Sequence, residues 1–256
     1  MTFEIPAAAY DRYMGRYSRE LAGPFARFAG VEPGQQVLEV GSGTGVLTVE
    51  LARILGERNV AAVDPTPGFV ESCRAKVPGV DVRVASAEAL PWPEDRFDLA
   101  LSQLVVSFMS DAPQAVREMR RVVRAGGTLA ACMWESGEGM QLVHLFWQAS
   151  QALDASLSQP EPSMRYRTEQ ELLSLWQSAG LEDVHSESLA VTSEYSSFED
   201  FWDSLLCAAG PVGSHLAKLD ESRRAALRER HWQLLNRPAA AFSLSARAWA
   251  VRGRNA

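Results

Sequence analysis

The sequence predicts an α/β fold in which helices cover a mostly parallel sheet. Between residues 36 and 134, five short apolar segments rich in β-branched residues alternate with segments of helical periodicity. Such alternation is typical of βαβ units, whose right-handed crossovers bring the carboxyl ends of the strands to one edge of the sheet. We therefore expect ligand-binding residues at that edge. The predicted strands are 37–40, 59–64, 80–85, 96–103 and 128–134.

The composition of the 256-residue chain is that of an ordinary globular protein, with 46% hydrophobic and 22% charged residues. This is enough for one large domain, and we predict a single domain over residues 1–256. The formal net charge of −7 argues against general nucleic-acid binding, which requires clustered lysine and arginine. No apolar run is long enough to span a membrane, and the N-terminus lacks the pattern of a signal peptide. We therefore expect a cytoplasmic protein without a nucleic-acid or membrane partner.

The cysteine and histidine positions give no pattern of metal ligands. Cys73, Cys132 and Cys207 are odd in number and far apart, without a C-x-x-C pair. The four histidines are likewise scattered along the chain. We expect three free thiols in a reducing cytoplasm and no metal site.

The glycine-rich turn at residues 41–45 is the strongest sign of a ligand-binding site. A short apolar strand precedes it, and a helical segment from Val46 to Leu55 follows. Glycines present bare backbone to a ligand, and the free amides at the start of the helix add hydrogen-bond donors. The spacing G-x-G-x-G differs from the dinucleotide pattern G-x-G-x-x-G. Glu39, just before the turn, repels a phosphate but suits an ammonium group or ribose hydroxyls.

Three further strand ends carry polar residues. Asp64 lies about 20 residues beyond the glycines, where a carboxylate can accept both hydroxyls of a ribose. The alternative, that Asp64 caps the next helix, is disfavoured because Thr66 before a proline already supplies that cap. Ser86 follows the third strand, and Gln103 ends the fourth.

The motif E-V-G-S-G-T-G at residues 39–45 resembles the first motif of class I S-adenosylmethionine-dependent methyltransferases. The nearest resemblance is to the small-molecule enzymes of ubiquinone and menaquinone biosynthesis. Residues 97–102 are similar to the F-D-x-x-x-S segment of this family, and residues 117–127 to its R-E-x-x-R-V-L-x-P-G-G segment, with Ala125 in place of proline. The resemblance covers about residues 35–252. It implies a Rossmann-like, doubly wound, seven-stranded sheet with an antiparallel last strand, and S-adenosylmethionine as cofactor.

The resemblance also implies the role of each matching residue. The glycine turn packs against the methionine part of the cofactor, Asp64 binds the ribose, and the loop at Ser86 binds the adenine. The family has an acid where Ser86 stands, and a hydroxyl is a weaker acceptor. An N-terminal helix covers the cofactor in many relatives, where a guanidinium such as that of Arg16 can hold the methionine carboxylate. The expected cofactor-binding residues are Tyr10, Arg16, Glu39, Gly41, Ser42, Gly43, Asp64, Pro65, Ser86, Ala87, Glu88 and Gln103.

The flanking segments are predicted to surround the cofactor-binding half, residues 35–136. Residues 1–34 form a helical lid of two short helices, the second beginning at Ser18 as its N-cap. The tyrosines of this segment equally suit simple packing onto the sheet. Residues 137–167 and 197–237 are predicted as helical insertions that form a cap.

Other patterns predict the ends of individual elements. The helix that Asp111 caps is expected to end at the glycine pair 126–127, and Thr168 with Glu171 forms a capping box. The helix that begins there is expected to end at Gly180. The last two predicted strands, of which the second lies antiparallel beside the fifth strand, are 184–195 and 242–251.

No catalytic residue is assigned from the sequence. Methyl transfer from a sulfonium is an in-line displacement, which needs alignment and the exclusion of water, and a base only when the nucleophile arrives protonated. Relatives often have two histidines where this chain has Ser107 and Phe108. His144 is interpreted as a structural residue on an apolar helix rather than as a substitute base.

The aromatic residues predict a small, fairly apolar methyl acceptor of unidentified structure. No N-P-P-Y-type segment follows the fourth strand, which argues against methylation of nucleic-acid bases. Two alternatives are a non-catalytic cofactor-binding protein of the same fold and, less favoured by the glycine spacing, a nicotinamide oxidoreductase. The aromatic residues expected near the acceptor are Phe108, Trp134, Phe146, Trp147 and Trp202.

Overall fold

A seven-stranded sheet forms the centre of the computed structural model, which describes residue 9 and residues 11–135, 137–157, 165–208 and 210–256. The strand order is β3-β2-β1-β4-β5-β7-β6. Only β7 is reversed: it pairs antiparallel with both β5 and β6, whereas β1 to β5 pair in parallel. The predicted fold is therefore confirmed. The strands are β1 (Val37–Val40), β2 (Val60–Asp64), β3 (Asp81–Val84), β4 (Phe97–Gln103), β5 (Val123–Trp134), β6 (Glu182–Tyr195) and β7 (Phe242–Arg254).

Helices cover both faces of the sheet and divide the core into two apolar clusters. Successive residues of β1 point to opposite faces, so that Val37 belongs to one cluster and Leu38 to the other. Helices α1 and α2 pack on the first face, and α4 and α6 on the second. The helices are α1 (Arg16–Ala29), α2 (Val46–Leu55), α3 (Pro67–Lys76), α4 (Ala112–Val122), α5 (Gln141–Leu153), α6 (Glu169–Ser178), α7 (Phe198–Leu206), α8 (Gly210–Lys218) and α9 (Glu221–Leu234).

The N-terminal segment differs from the prediction of a helix that begins at Ser18. A π-helical turn over Asp11–Gly15 runs directly into α1. Ser18 lies inside the helix, where its hydroxyl donates to the carbonyl of Met14 at 3.1 Å. The apolar face of α1 continues through this position, so the chain does not break there. Gly30, in the left-handed conformation, ends α1.

The helix α4 ends four residues before the glycine pair at which the sequence predicted its end. Strand β5 begins at once, and Val123 pairs with Phe97 of β4. A Cβ at Gly127 would lie 2.5 Å from the carbonyl oxygen of Asp98. The glycine therefore allows two strands to approach closely and does not end the helix.

Within the described residues, the two predicted insertions contain helices α5 and α7 to α9, which we call the cap. Helices α5 and α9, from the two insertions, pack against each other, and α7 and α8 lie between them in the chain. The predicted capping box is present at α6: Thr168 accepts from the amide of Glu171, whose carboxylate accepts from Thr168. Residues 158–164 of the first predicted insertion lie outside the described residues. Within the described part of the chain, no helix meets the length and apolarity that a membrane span requires.

Candidate functional site

A crevice of about 580 Å³ lies at the carboxyl ends of the parallel strands. Its wall combines the glycine turn, the ends of β2 and β4, the loop after β3, and part of the N-terminal segment. Ten of the twelve residues expected to bind the cofactor lie in this wall. They are Glu39, Gly41, Ser42, Gly43, Asp64, Pro65, Ser86, Ala87, Glu88 and Gln103. Tyr10 lies outside the described residues, and Arg16 is not part of the wall.

The glycine turn is tied to the neighbouring strand and closely packed beneath. The amides of Gly41 and Ser42 both donate to the carbonyl of Val63, at 2.7 and 3.0 Å. Gly41 and Gly45 have φ angles of 83° and 91°, which glycine adopts without strain. A Cβ at Gly45 would lie 2.8 Å from the sulfur of Cys73. The turn can therefore approach a ligand from above while α3 supports it from below.

We expect Gly45→Ala to lower the free energy of unfolding by about 1–3 kcal/mol more than Gly34→Ala, because the added methyl overpacks against Cys73. Gly34 is the matched control, since its φ of 93° imposes the same backbone strain while nothing lies within 4 Å of an added Cβ. Urea unfolding of both variants measures the difference. Equal losses of stability would show that the contact with Cys73 carries no cost.

Asp64 is held in place by the backbone on both sides of it. One carboxylate oxygen accepts from the amide of Gly43 and the other from the amide of Thr66, each at 2.9 Å. Burial raises the pKa of Asp64, and these two hydrogen bonds oppose the rise. Thr66 is the N-cap of α3 and Pro67 follows it, as predicted, but the Thr66 hydroxyl makes no capping hydrogen bond. The carboxylate is thus fixed in orientation, with lone pairs left for a ligand in the crevice.

Two buried polar atoms of the crevice wall have no hydrogen-bond partner among the described residues. The amide nitrogen of Gln103 donates to the carbonyl of Ser18 at 3.0 Å, but its oxygen Oε1 accepts nothing. The hydroxyl of Ser42 also makes no hydrogen bond of good geometry, although it lies close enough to the Cys73 thiol to oppose the rise in the pKa of that thiol. Leu104, next to Gln103, has a φ of 65°, a strained conformation for a bulky residue. Leaving such atoms unsatisfied costs about 1–3 kcal/mol each, so both suit a ligand with N–H or O–H donors.

The Glu39 carboxyl is buried below the glycine turn, where its exposed fraction is 2%. Thr48 donates to it at 2.5 Å. Burial raises the pKa of Glu39 to about 8, and the charge of Asp64 adds to this, although the Thr48 hydrogen bond opposes it. In the structure as described, Glu39 is therefore mostly protonated at neutral pH.

The loop after β3 presents a hydroxyl and a carboxylate together. Ser86 is exposed and donates to the carboxylate of Glu88, which also accepts from the amide of Asp111 at 3.0 Å. Because its proton is directed to Glu88, the Ser86 oxygen keeps its lone pairs as acceptors. The carboxylate that the family places at this position is thus found two residues further along the chain.

The assignment of Arg16 to the crevice is corrected by the structure. Its guanidinium bonds to Asp200 at 3.1 Å and lies 4.2 Å from the centre of the Tyr195 ring. These partners come from α7 and β6, on the other side of α1. In its place Tyr13, Met14 and Ser18 line the crevice. No local pattern distinguishes the two faces of this segment, so the sequence reasoning missed them.

The aromatic residues expected near the acceptor divide between two places. Phe108 and Trp134 line the crevice. Phe146 and Trp202 instead surround His231 in the cap, with ring centres 5.8 Å from the imidazole, and Trp147 packs on Phe146. These three belong to the core of the cap, which corrects the prediction. Half-buried His144, on α5, is not part of the crevice wall either.

A little more than a third of the chain matches a known family. Residues 38–131 match the model of the methyltransferase domain. A 2-methyl-6-phytyl-1,4-hydroquinone methyltransferase of rice is 32% identical over 154 residues, 59% of this chain and 42% of that protein. A ubiquinone/menaquinone biosynthesis C-methyltransferase of Vibrio vulnificus is 35% identical over 50% of this chain and 53% of its own. A malonyl-[acyl-carrier protein] O-methyltransferase of Serratia marcescens is 33% identical over 54% of this chain and 58% of its own.

The chain spans about half the length of the curated relatives it matches. Solved structures share the fold over nearly the whole chain. The YcgJ protein of Bacillus subtilis has a TM-score of 0.56 at 18% identity and covers 93% of this chain and 98% of its own. The [4+2]-cyclase SpnF has a TM-score of 0.53 at 20% identity, with coverages of 92% and 81%. Since one of these proteins is a cyclase by name, the fold alone does not define the reaction.

The architecture is that of the Rossmann-like class I methyltransferases. The matched segment contains the glycine turn, Asp64, the Ser86 loop and Gln103. Residues 38–131 thus form a class I S-adenosylmethionine-dependent methyltransferase domain, whose cofactor is S-adenosylmethionine. The residues present fit this group, because Gln103 Oε1 and the Ser42 hydroxyl can accept from an amino-acid ammonium and nothing lies within 4 Å of an added Cβ at Gly43.

Proposed function

We propose that the protein transfers the methyl group of S-adenosylmethionine to a small, fairly apolar molecule. The observation that carries the proposal is the composition of one continuous crevice. The glycine turn, Asp64 and Gln103 lie in the same wall as a set of apolar side chains that no cofactor motif accounts for. A cofactor and a second, apolar molecule can therefore meet in one place. The names of the curated relatives, which include quinone methyltransferases, support an apolar acceptor.

We propose that each part of the cofactor binds to a different group of this chain. The Asp64 carboxylate, held by Gly43 and Thr66, accepts from the ribose hydroxyls. Gln103 Oε1 and the Ser42 hydroxyl accept from the ammonium group of the methionine part. The Ser86 oxygen and the amide of Ala87 bind the adenine. Bound S-adenosylmethionine supplies an electrophilic methyl group on a sulfonium.

The contribution of the protein to the reaction is to align the acceptor and exclude water. The apolar side chains beyond Gln103 keep water away from the methyl group. No residue of the crevice is assigned as a general base, and an acceptor that arrives unprotonated requires none.

Two measurements test the proposal. Calorimetry with S-adenosylhomocysteine and with NAD establishes which of the two compounds binds, and we expect only the first to do so. Transfer of labelled methyl groups is then followed across a panel of quinols, phenols and fatty acids. Turnover of at least one compound supports the proposal. Binding without any turnover over a broad panel favours instead a non-catalytic cofactor-binding protein.

We expect Asp64→Ala to weaken binding of S-adenosylhomocysteine by about 1–3 kcal/mol, because the ribose hydroxyls lose their charged acceptor. Glu71→Ala, which removes an exposed carboxylate from the neighbouring helix α3, is the control and should leave the affinity unchanged. Isothermal titration calorimetry of both variants measures the effect. Unchanged affinity in Asp64→Ala would remove this residue from the cofactor site.

We also propose a reducing compartment, the cytoplasm, for the protein and no nucleic-acid partner. Cys73, Cys132 and Cys207 are free thiols, the usual state in such a compartment. The net charge of −7 opposes binding to a polyanion.

A further inference from the structure

The residues that line the crevice form two chemically different groups along the sequence, and we call these its two parts. The first part holds the cofactor motifs and three acidic residues, Glu39, Asp64 and Glu88. The second part, which we name the acceptor chamber, follows Gln103 and has no acidic residue among its described members. Its apolar members are Leu104, Val105, Phe108, Met109, Met133, Trp134 and Pro211.

Arg167 is the one cationic side chain in the wall among the described residues. It stands directly before Thr168, the N-cap of α6, and its amide donates to the carboxylate of Glu171 at 3.0 Å. The segment is also tied to the β4–α4 connection, because Ser107 donates to the carbonyl of Arg165 at 2.6 Å. The backbone at Arg167 is therefore anchored, and the residue forms part of the crevice wall.

Holding a guanidinium in an apolar chamber has an energetic cost. Arg167 is half-buried, and this burial lowers its pKa. An arginine nevertheless stays charged at every physiological pH. Its attraction for an anion is stronger here than in water, because the effective dielectric constant beside apolar side chains is lower. A ligand anion would gain from this, whereas a neutral ligand would not.

Arg165, two residues earlier, does not line the crevice, whereas Arg167 does. Arg165 is exposed, lies 5.1 Å from the Tyr166 ring centre, and is absent from the crevice wall. The two arginines share a short segment and a charge but differ in what they face. Arg165 is thus a matched control.

We propose that Arg167 binds an acidic group of the methyl acceptor, so that the substrates are apolar molecules that carry a carboxylate. This inference rests on the proposed function. A guanidinium binds a carboxylate through two parallel hydrogen bonds, which fixes its orientation as well as its position. The apolar members of the chamber hold the rest of the acceptor. Arg167 is a specificity-determining residue in this scheme and takes no part in bond making.

The test compares carboxylates with their neutral amides as ligands of the protein saturated with S-adenosylhomocysteine. The probes are decanoate, 4-phenylbutyrate and 2-naphthoate, each beside its primary amide, and calorimetry measures their dissociation constants. We expect at least one carboxylate to bind ten-fold or more tightly than its amide. Arg167→Gln should reduce this preference to less than three-fold, Arg167→Lys should keep part of it, and Arg165→Gln should keep all of it.

The outcomes separate this inference from the proposed function. If wild-type protein binds S-adenosylhomocysteine but prefers none of the three carboxylates, the inference is overturned and the proposed function stands. A preference that survives in Arg167→Gln overturns it as well. So does a loss of S-adenosylhomocysteine affinity in Arg167→Gln, because the residue would then support the cofactor site. Failure of the wild-type protein to bind S-adenosylhomocysteine counts against the proposed function itself, and this inference fails with it.

Discussion

Between pH 5 and pH 9, the free energy of unfolding of the wild-type protein is expected to fall by about 4 kcal/mol relative to that of Glu39→Gln. The carboxyl of Glu39 is buried, and its pKa is raised from 4.5 to about 8. The folded protein therefore keeps a proton that the unfolded chain releases above pH 4.5. Stability from this group is fully present below the unfolded pKa and is lost as the pH rises toward the folded pKa. Glutamine does not titrate, so the free energy of unfolding of Glu39→Gln lacks this dependence on pH.

Urea unfolding at several pH values measures the difference between the two curves. The difference cancels the contributions of all other titrating groups, which both proteins share. Glu71→Gln, a change at an exposed carboxylate, is the control and should follow the wild-type curve. Parallel curves for wild type and Glu39→Gln would mean that Glu39 is ionised at neutral pH in the folded protein, contrary to the burial seen here.

On the acid side, the wild-type protein is expected to lose about 3 kcal/mol of stability relative to His231→Phe between pH 7 and pH 4. Burial lowers the pKa of His231 from 6.5 to about 4. His231 is thus protonated below pH 6.5 in the unfolded chain but only below about pH 4 in the folded protein. The stability is present above the unfolded pKa and is lost as the pH falls.

The surroundings of His231 explain why its pKa is lowered. Its Nδ1–H donates to the carbonyl of Leu227 at 2.8 Å, and Nε2 has no partner among the described residues. The rings of Phe146, Phe201 and Trp202 enclose the imidazole and exclude water from it. Denaturant unfolding across this pH range, with exposed His185→Gln as the control, measures the loss. An identical acid slope in wild type and His231→Phe would show that the cap admits the charged imidazole.

The parts of the site that the sequence could predict depend on neighbours along the chain. A glycine turn between a strand and a helix, as at residues 41–45, is local, and so is the capping box at Thr168. The parallel sheet follows from the alternation of short strands and helices, since handedness then brings their ends together. Asp64 and Gln103 could be placed at the crevice for that reason alone.

Where a helix face points could not be predicted in the same way. Arg16 bonds to Asp200, 184 residues away, and its direction depends on how α1 packs between the sheet and the cap. The direction of the Phe146 and Trp202 rings also depends on packing, because both rings contact His231 of α9 in the cap. Arg167 lies near the crevice because Ser107 and the capping box anchor its segment.

Patterns between residues close in the chain thus determined the strands of the parallel sheet, the glycine turn and the polar residues at the strand ends. Burial against distant segments decided which aromatic and charged side chains face the crevice, because such contacts form only when the layers pack. The protonation of Glu39 belongs to the second group. Its carboxyl is an ordinary one in the sequence, and only the exclusion of water beneath the glycine turn raises its pKa.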